Sequence, residues 1–278
     1  MSLTYSLQTG ISALKSFTEG LQAIGDNIAN VSTTGFKRSQ VDYADTFYNL
    51  LQTSSSSTSG ATSQVGGGVR VASINSVFNT ESATYTGQEN NMAIDGDGFF
   101  RVQDKVSGTQ FFTRAGNFKR DDLGYLVTPE GYRLQGEGTL SGSNMMIPDT
   151  ATNPTTGQEE QVSDWSFSAS TGQLNLYFAD GSATNGGRVQ LSAFTNPSAL
   201  MKQGSNIYKQ TGNSGTRTDF LPANDQLATL SSQYLEQSNV DLTEEFANMI
   251  TTQRGFQAGS RIITTTDQLL QEAIQLKK

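Results

Sequence analysis

The residues of this chain best suited to chemistry are its carboxylates, and their most suggestive arrangement is Asp95-Gly-Asp-Gly98. Aspartates alternating with glycines can wrap a calcium ion, but an EF-hand loop needs further oxygen ligands and a Glu at its twelfth position. Counted from Asp95, that position is Val106, so the stretch reads as a hairpin turn. Glu159 and Glu160 supply two acids, yet neighbours on one loop cannot flank a sugar as a glycosidase pair must. They read as solvated surface. The serine run from Ser54 to Ser57 has no histidine to activate it, because the chain contains none. Gly66-Gly-Gly68 lacks the Lys-Ser/Thr of a phosphate loop. Without His and Cys, the commonest general base, the commonest metal ligand, thiolate sites and disulfides are all missing. No catalytic residue, metal site or cofactor is assigned, and no enzymatic activity is expected. A hydrolase using carboxylates alone stands as an alternative.

The elements that carry these residues follow from the wider pattern. With 278 residues the chain can bury a substantial core. Charged residues make up only 16 % of it, against roughly 25 % in an ordinary soluble domain. Gly, Ser, Thr, Asn and Gln take their place, giving a polar, weakly charged surface that copies can approach without strong repulsion. The net charge of −8 and the absence of a Lys/Arg block argue against a nucleic-acid partner. Met1 to Gly10 has neither the basic nor the apolar region of a cleavable signal peptide, and no apolar run approaches a membrane span.

Both ends of the chain show helical periodicity. Leu7, Leu14, Leu21 and Ile28 stand seven apart, and Leu3, Gly10, Phe17 and Ile24 fall between them, predicting one amphipathic helix over 3–28. Near the C-terminus, Leu242, Met249, Phe256, Ile263 and Leu270 repeat the spacing, with Phe246 and Ile274 on a second line that Gln253, Ser260 and Asp267 interrupt. Asp241-Leu-Thr-Glu244 predicts a capping box, with Glu244 reaching back to the cap. These helices form either an antiparallel or bundled pair, or ordinary amphipathic covers on one globular core.

Between them, Gln52 to Gln64 reads as a low-complexity linker. Strand-like runs follow at 69–74, 99–102, 110–114, 125–128 and 173–178, divided by the turn signals Asp95–Gly98, Asp122–Gly124, Glu130-Gly131 and Asp180-Gly181. Trp165 is placed in the β core, or else at an exposed assembly contact. The predicted fold class is α+β: terminal heptad helices around a central antiparallel β-rich domain. Its divisions are 1–38 (helix and turn), 39–68 (linker), 69–210 (β domain), 211–240 (return segment) and 241–278 (helix).

One stretch stands apart: Ile24-Gly-Asp-Asn-Ile-Ala-Asn-Val-Ser-Thr-Thr-Gly-Phe-Lys-Arg38. Asn30 lies where a helix can stop, Gly35 can take a positive φ, and Phe36 is an apolar anchor beyond the break. By geometry alone this is a helix C-terminus. It also resembles the N-terminal signature of the flagellar basal-body rod and hook proteins, in Asn27, Ile28, Ala29, Asn30, Thr33, Gly35, Phe36 and Lys37, departing at Asp26 where Asn is usual. Leu235 to Phe246, Met249 to Phe256 and Ile262 to Leu270 are similar to that family's C-terminal region. Ala93 to Arg101 and Thr113 to Phe118 resemble its β domain.

The resemblance implies a subunit whose terminal helices pair in an inner coiled-coil domain. Its copies would stack helically around an export channel, with the β domain outermost. Its partners would be further copies, other axial proteins such as rod, hook-cap and hook–filament junction proteins, and the flagellar export apparatus. No small-molecule substrate is implied. Gln253 onwards resembles short hook proteins, so a hook subunit for motility, placed in the hook or basal body, is expected. The alternative is a distal rod subunit, and one of another class is an exported β-rich surface or binding module. The helix-stripe residues, with Asn30, Gly35 and Phe36, are the expected self-assembly contacts.

Overall fold

The computed structural model describes residues 2–52, 63–139, 142–222 and 227–276. They form two compact units, each assembled from separated stretches of chain. The first comprises Met1–Val31, Arg38–Val77 and Val240–Lys278; the second comprises Ser32–Lys37 and Phe78–Asn239.

In the first unit the expected helices are present as α1 (Ser2–Ala29) and α2 (Leu242–Gln275). Asp241 caps α2 as predicted, its carboxylate accepting from the Thr243 and Glu244 amides at 2.7 and 3.3 Å. Glu244 does not complete a capping box. Its carboxylate turns instead to the Arg38 guanidinium, 3.0 Å away. The stretch read as a linker supplies β1 (Ser39–Asp45), β2 (Tyr48–Gln52) and β3 (Ser63–Gly66). β1 pairs antiparallel with β4 (Val69–Ser76), from Ser39↔Ser76 to Asp45↔Val69, with a bulge at Asp42/Tyr43. β2 pairs with β3. Most of the Gln52–Gln64 segment, residues 53–62, lies outside the described residues.

The second unit is antiparallel β structure: β5 (Ala83–Tyr85), β6 (Met92–Gly96), β7 (Phe99–Gln103), β8 (Gln110–Thr113), β9 (Lys119–Arg120), β10 (Leu126–Val127), β11 (Arg133–Thr139) and β12 (Gly142–Asn144), then β13 (Thr150–Thr152), β14 (Glu159–Phe167), β15 (Gln173–Phe178) and β16 (Ala183–Val189). It continues through β17 (Leu191–Phe194), β18 (Met201–Gly204), β19 (Ile207–Lys209), β20 (Arg217–Phe220), β21 (Ala228–Ser232) and β22 (Tyr234–Glu236). The main sheet runs β13-β14-β15-β16-β11-β7-β8-β19-β18. β15 shows its logic: Leu174, Leu176 and Phe178 alternate inward to the core, where they join Phe100, Leu126 and Leu134. Trp165 packs half-buried against that cluster. A second cluster gathers Phe99, Phe112, Phe194, Leu200 and Tyr208.

The boundaries differ from those expected, since the sequence places the β domain at 69–210 and a loose return at 211–240. β4 instead pairs with β1, whereas β20, β21 and β22 pair with β17, β6 and β5. Asp95–Gly98 is not a hairpin turn either. β6 pairs with β21 and β7 with β8, β11 and β17, so this turn is a corner between two sheets. Glu159 and Glu160 open β14 rather than sitting on a loop. Among the described residues, no helix is long and apolar enough to cross a membrane.

Candidate functional site

In the first unit α1 and α2 lie antiparallel, as their contacts show. Gly10 sits by Ile263, Ala13 and Leu14 by Gly259, Phe17 by Gly255, and Asn27 by Glu245. The approach is close. A Cβ on Gly255 would come 2.8 Å from the Phe17 ring, and one on Gly10 would come 2.9 Å from Ile263. On α1, Leu7, Leu14, Leu21 and Ile28 are half-buried and Gly10 is buried, in keeping with the expected stripe; the side chain of Leu3 lies outside the described residues.

On α2, Met249, Ile263 and Leu270 are half-buried. The second line differs from the expected one. The inward residues are Glu245, Thr252, Gly259 and Thr266, one position before Phe246, Gln253, Ser260 and Asp267. Small side chains admit α1 closely, and the two threonines satisfy their hydroxyls on the Asn248 and Ile262 carbonyls at 2.7 Å. The apolar residues displaced from this seam face outward: Leu242 is 39 % exposed, Phe246 48 % and Phe256 37 %.

Asn27 fixes the far end of the pair. Its Nδ2 donates to the Ser39 carbonyl (2.9 Å) and to Glu245 Oε1 (3.0 Å), and its Oδ1 accepts from the Ser39 amide (2.8 Å). One buried side chain thus joins α1, the start of β1 and the first turn of α2. Burial pushes the Glu245 carboxyl up from its ordinary value of 4.5, against the opposing pull of Asn27 and Arg38. A group raised in the folded state lends stability that is full below its unfolded pKa and lost as pH rises through the folded one. Unit 1 of the wild-type chain should therefore lose stability above about pH 4.5 relative to Glu245→Gln, which keeps the acceptor for Asn27 without the charge. Parallel thermal melts from pH 4 to 8 measure this; identical pH dependence in the two chains would disprove it.

The signature turn belongs to the second unit. α1 ends at Ala29, and Asn30 donates from Nδ2 to the Asp26 carbonyl (2.8 Å) and carboxylate (3.0 Å). Gly35 takes φ +66°, and its amide donates to the Glu236 carbonyl at 2.9 Å. Phe36 is buried, with the Lys202 ammonium 5.1 Å from its ring centre. The Asn239 amide reaches the Phe36 carbonyl at 3.4 Å, and Asn206 donates to the Thr34 carbonyl at 2.8 Å. Lys37, fully buried, meets Glu236 Oε1 at 2.6 Å.

Asn27, Lys37, Arg114, Glu236 and Glu245 were therefore not picked out by their types and spacing. All five stand within the stretches that resemble the family, which is the available signal. Asp95 and Asp97 are exposed at their corner. Among the described residues, no group of three or more His, Cys, Asp or Glu is placed to hold a metal.

Residues 7–37 match the family described as flagella basal body rod protein, 93–163 the flagellar hook protein FlgE/F/G D1 domain, and 231–276 the flagellar basal body rod FlgEFG protein C-terminal family. Flagellar basal-body rod protein FlgG of Bacillus subtilis is 40 % identical, over 98 % of this chain and 99 % of its own. The chain belongs to the flagellar rod and hook protein family. Within that family the FlgG rod protein of Caulobacter vibrioides is 32 % identical over the same shares of both chains. The flagellar hook protein FlgE of Borreliella burgdorferi is 26 % identical, over 98 % of this chain and 99 % of its own. That alignment spreads across 440 positions, against 278 for the Bacillus subtilis protein. The expected likeness to hook proteins is thus weaker than the likeness to rod proteins.

Proposed function

We propose that this chain is a distal rod subunit of the flagellar basal body, polymerising helically with its terminal helices as the inner layer. The observation that carries this is the end-to-end likeness to FlgG rod proteins without added length, where the hook relative needs long insertions. The family's role is structural, and no chemistry is assigned to any residue. Self-assembly is attributed to two sets of residues. Leu7, Leu14, Leu21, Ile28, Met249, Ile263 and Leu270 hold the helix pair that a neighbour packs against, and Leu242, Phe246 and Phe256 supply apolar surface left over after pairing. Asn30, Gly35 and Phe36 shape the turn that follows α1. Partners are further copies, neighbouring axial proteins and the export apparatus.

Because Phe246 is half exposed, its truncation should cost the monomer about 0.5 kcal/mol or less, as surface changes usually do. In a polymer the same ring is covered at every repeat. Phe246→Ala should therefore melt within a few degrees of wild type yet fail to form tubes under conditions where wild type forms straight ones. Sedimentation with negative-stain imaging reads both. Tubes of normal length from the variant, or curved tubes from the wild type, would refute the reading.

A further inference from the structure

Lys37, Arg114 and Glu236 put two cations and one carboxylate into the interior of the second unit, with side chains 0, 2 and 1 % exposed. Lys37 Nζ lies 2.6 Å from Glu236 Oε1 and donates to the Asn79 carbonyl at 2.5 Å. Arg114 approaches Glu236 Oε2 at 3.5 Å, donates to the Gly96 carbonyl at 2.9 Å, and stands 5.3 Å from the Phe99 ring centre. Among the described residues, Arg114 Nε and Glu236 Oε2 have no hydrogen-bond partner of their own. Burial holds the Lys37 ammonium below its ordinary pKa even against the pull of Glu236. Such a cluster is a poor source of stability, because desolvating its ions offsets most of their attraction.

Its members come from three places far apart in sequence: the signature turn, the residue after β8, and the last residue of β22. Lys37 and Glu236 are 199 positions apart. Without Glu236 in position, docking the turn would bury two uncompensated cations, which costs far more than any local contact returns. The backbone bonds that seat the turn, Gly35 N–H to Glu236 and Asn239 N–H to Phe36, likewise need β22 in place.

We propose that the Lys37–Glu236–Arg114 cluster is an ionic latch that makes docking of the signature turn conditional on completed β22 pairing. The turn is then the last part of the second unit to close and the first to open, while the main sheet stays intact. The latch serves order and register rather than stability, so its halves respond unequally to substitution.

The test uses the full-length chain with native-state amide exchange, on wild type, Glu236→Gln, Lys37→Met and the double variant. Glu236→Gln should lower protection of the Gly35 and Asn239 amides at least about 100-fold, since stripping the partner from a buried charge costs a factor of that order. Amides of β15 and β16 should keep theirs. Lys37→Met should leave turn protection equal to or above wild type, and the double variant should recover part of what Glu236→Gln loses, since Arg114 still lacks its carboxylate there. In pulse-labelled refolding of wild type, the Gly35 and Asn239 amides should be protected after those of the main sheet. Equal damage from Lys37→Met and Glu236→Gln would reduce the cluster to an ordinary stabilising bridge and overturn the proposal. Simultaneous protection of turn and sheet during refolding would also overturn it. If Glu236→Gln fails to fold, a folded variant that also carries Lys37→Met and Arg114→Met upholds the latch and an unfolded one rejects it.

Discussion

Gly35→Ala is expected to detach the signature turn from the second unit. Gly35 holds φ +66°, where a side chain costs about 1–2 kcal/mol. A Cβ there would also lie 2.7 Å from both the Ala115 amide nitrogen and the Arg114 carbonyl carbon. These are backbone atoms of the strand end that also carries Arg114, so no rotamer change relieves the contact. Adding about 1–3 kcal/mol for forced overpacking brings the total to about 2–5 kcal/mol, a large share of a net stability of about 5–15 kcal/mol. Movement of the turn breaks the Gly35 bond to Glu236 and uncovers Phe36, whose own truncation to Ala should cost about 3–5 kcal/mol. Chemical denaturation with exchange of the Asn239 amide reads the effect. A variant with wild-type midpoint and protection would show that the turn does not depend on this conformation.

Asn27→Ala is expected to open the first unit at the end where α1, β1 and α2 meet. Three hydrogen bonds disappear together, leaving the Ser39 amide, the Ser39 carbonyl and Glu245 Oε1 without this partner. The Glu245 oxygen is buried and the Ser39 groups half-buried; a stranded buried group costs about 1–3 kcal/mol, so a loss of about 2 kcal/mol or more is predicted. Asn27→Asp should be nearly as damaging: it keeps an acceptor for Ser39 but turns the donor facing Glu245 into a second negative charge. Helical circular dichroism through a thermal melt measures both. Wild-type behaviour in either variant would contradict the role given to Asn27.

What could be read in advance was whatever has a local cause. α1 and α2, the Asp241 cap, the positive φ of Gly35 and the alternation in β15 each depend on residues a few positions apart. What could not be read depends on pairing across long separations. Ser39–Asp45 alternates only weakly, because its two-stranded ribbon with β4 leaves both faces partly exposed, and so its sequence reads as linker. Apolar periodicity predicts the second line of the α2 seam one position too late, whereas a close approach through Gly10, Gly255 and Gly259 favours Gly and Thr there. The order of the signatures along the chain gave no hint that Lys37 and Glu236 meet. The division into units is hidden for the same reason, since residues 32–37 join the β unit through partners as distant as Asn79, Asn206 and Glu236.

The central claim, a distal rod subunit, is tested most directly in the native cell by deleting this chain and imaging the remaining basal bodies by electron tomography. Rods that stop short within the cell envelope, bearing neither hook nor filament, are the predicted result, with full-length straight rods returning when the chain is resupplied. Complete rods lacking only the curved hook beyond the envelope would contradict the account and restore the hook assignment.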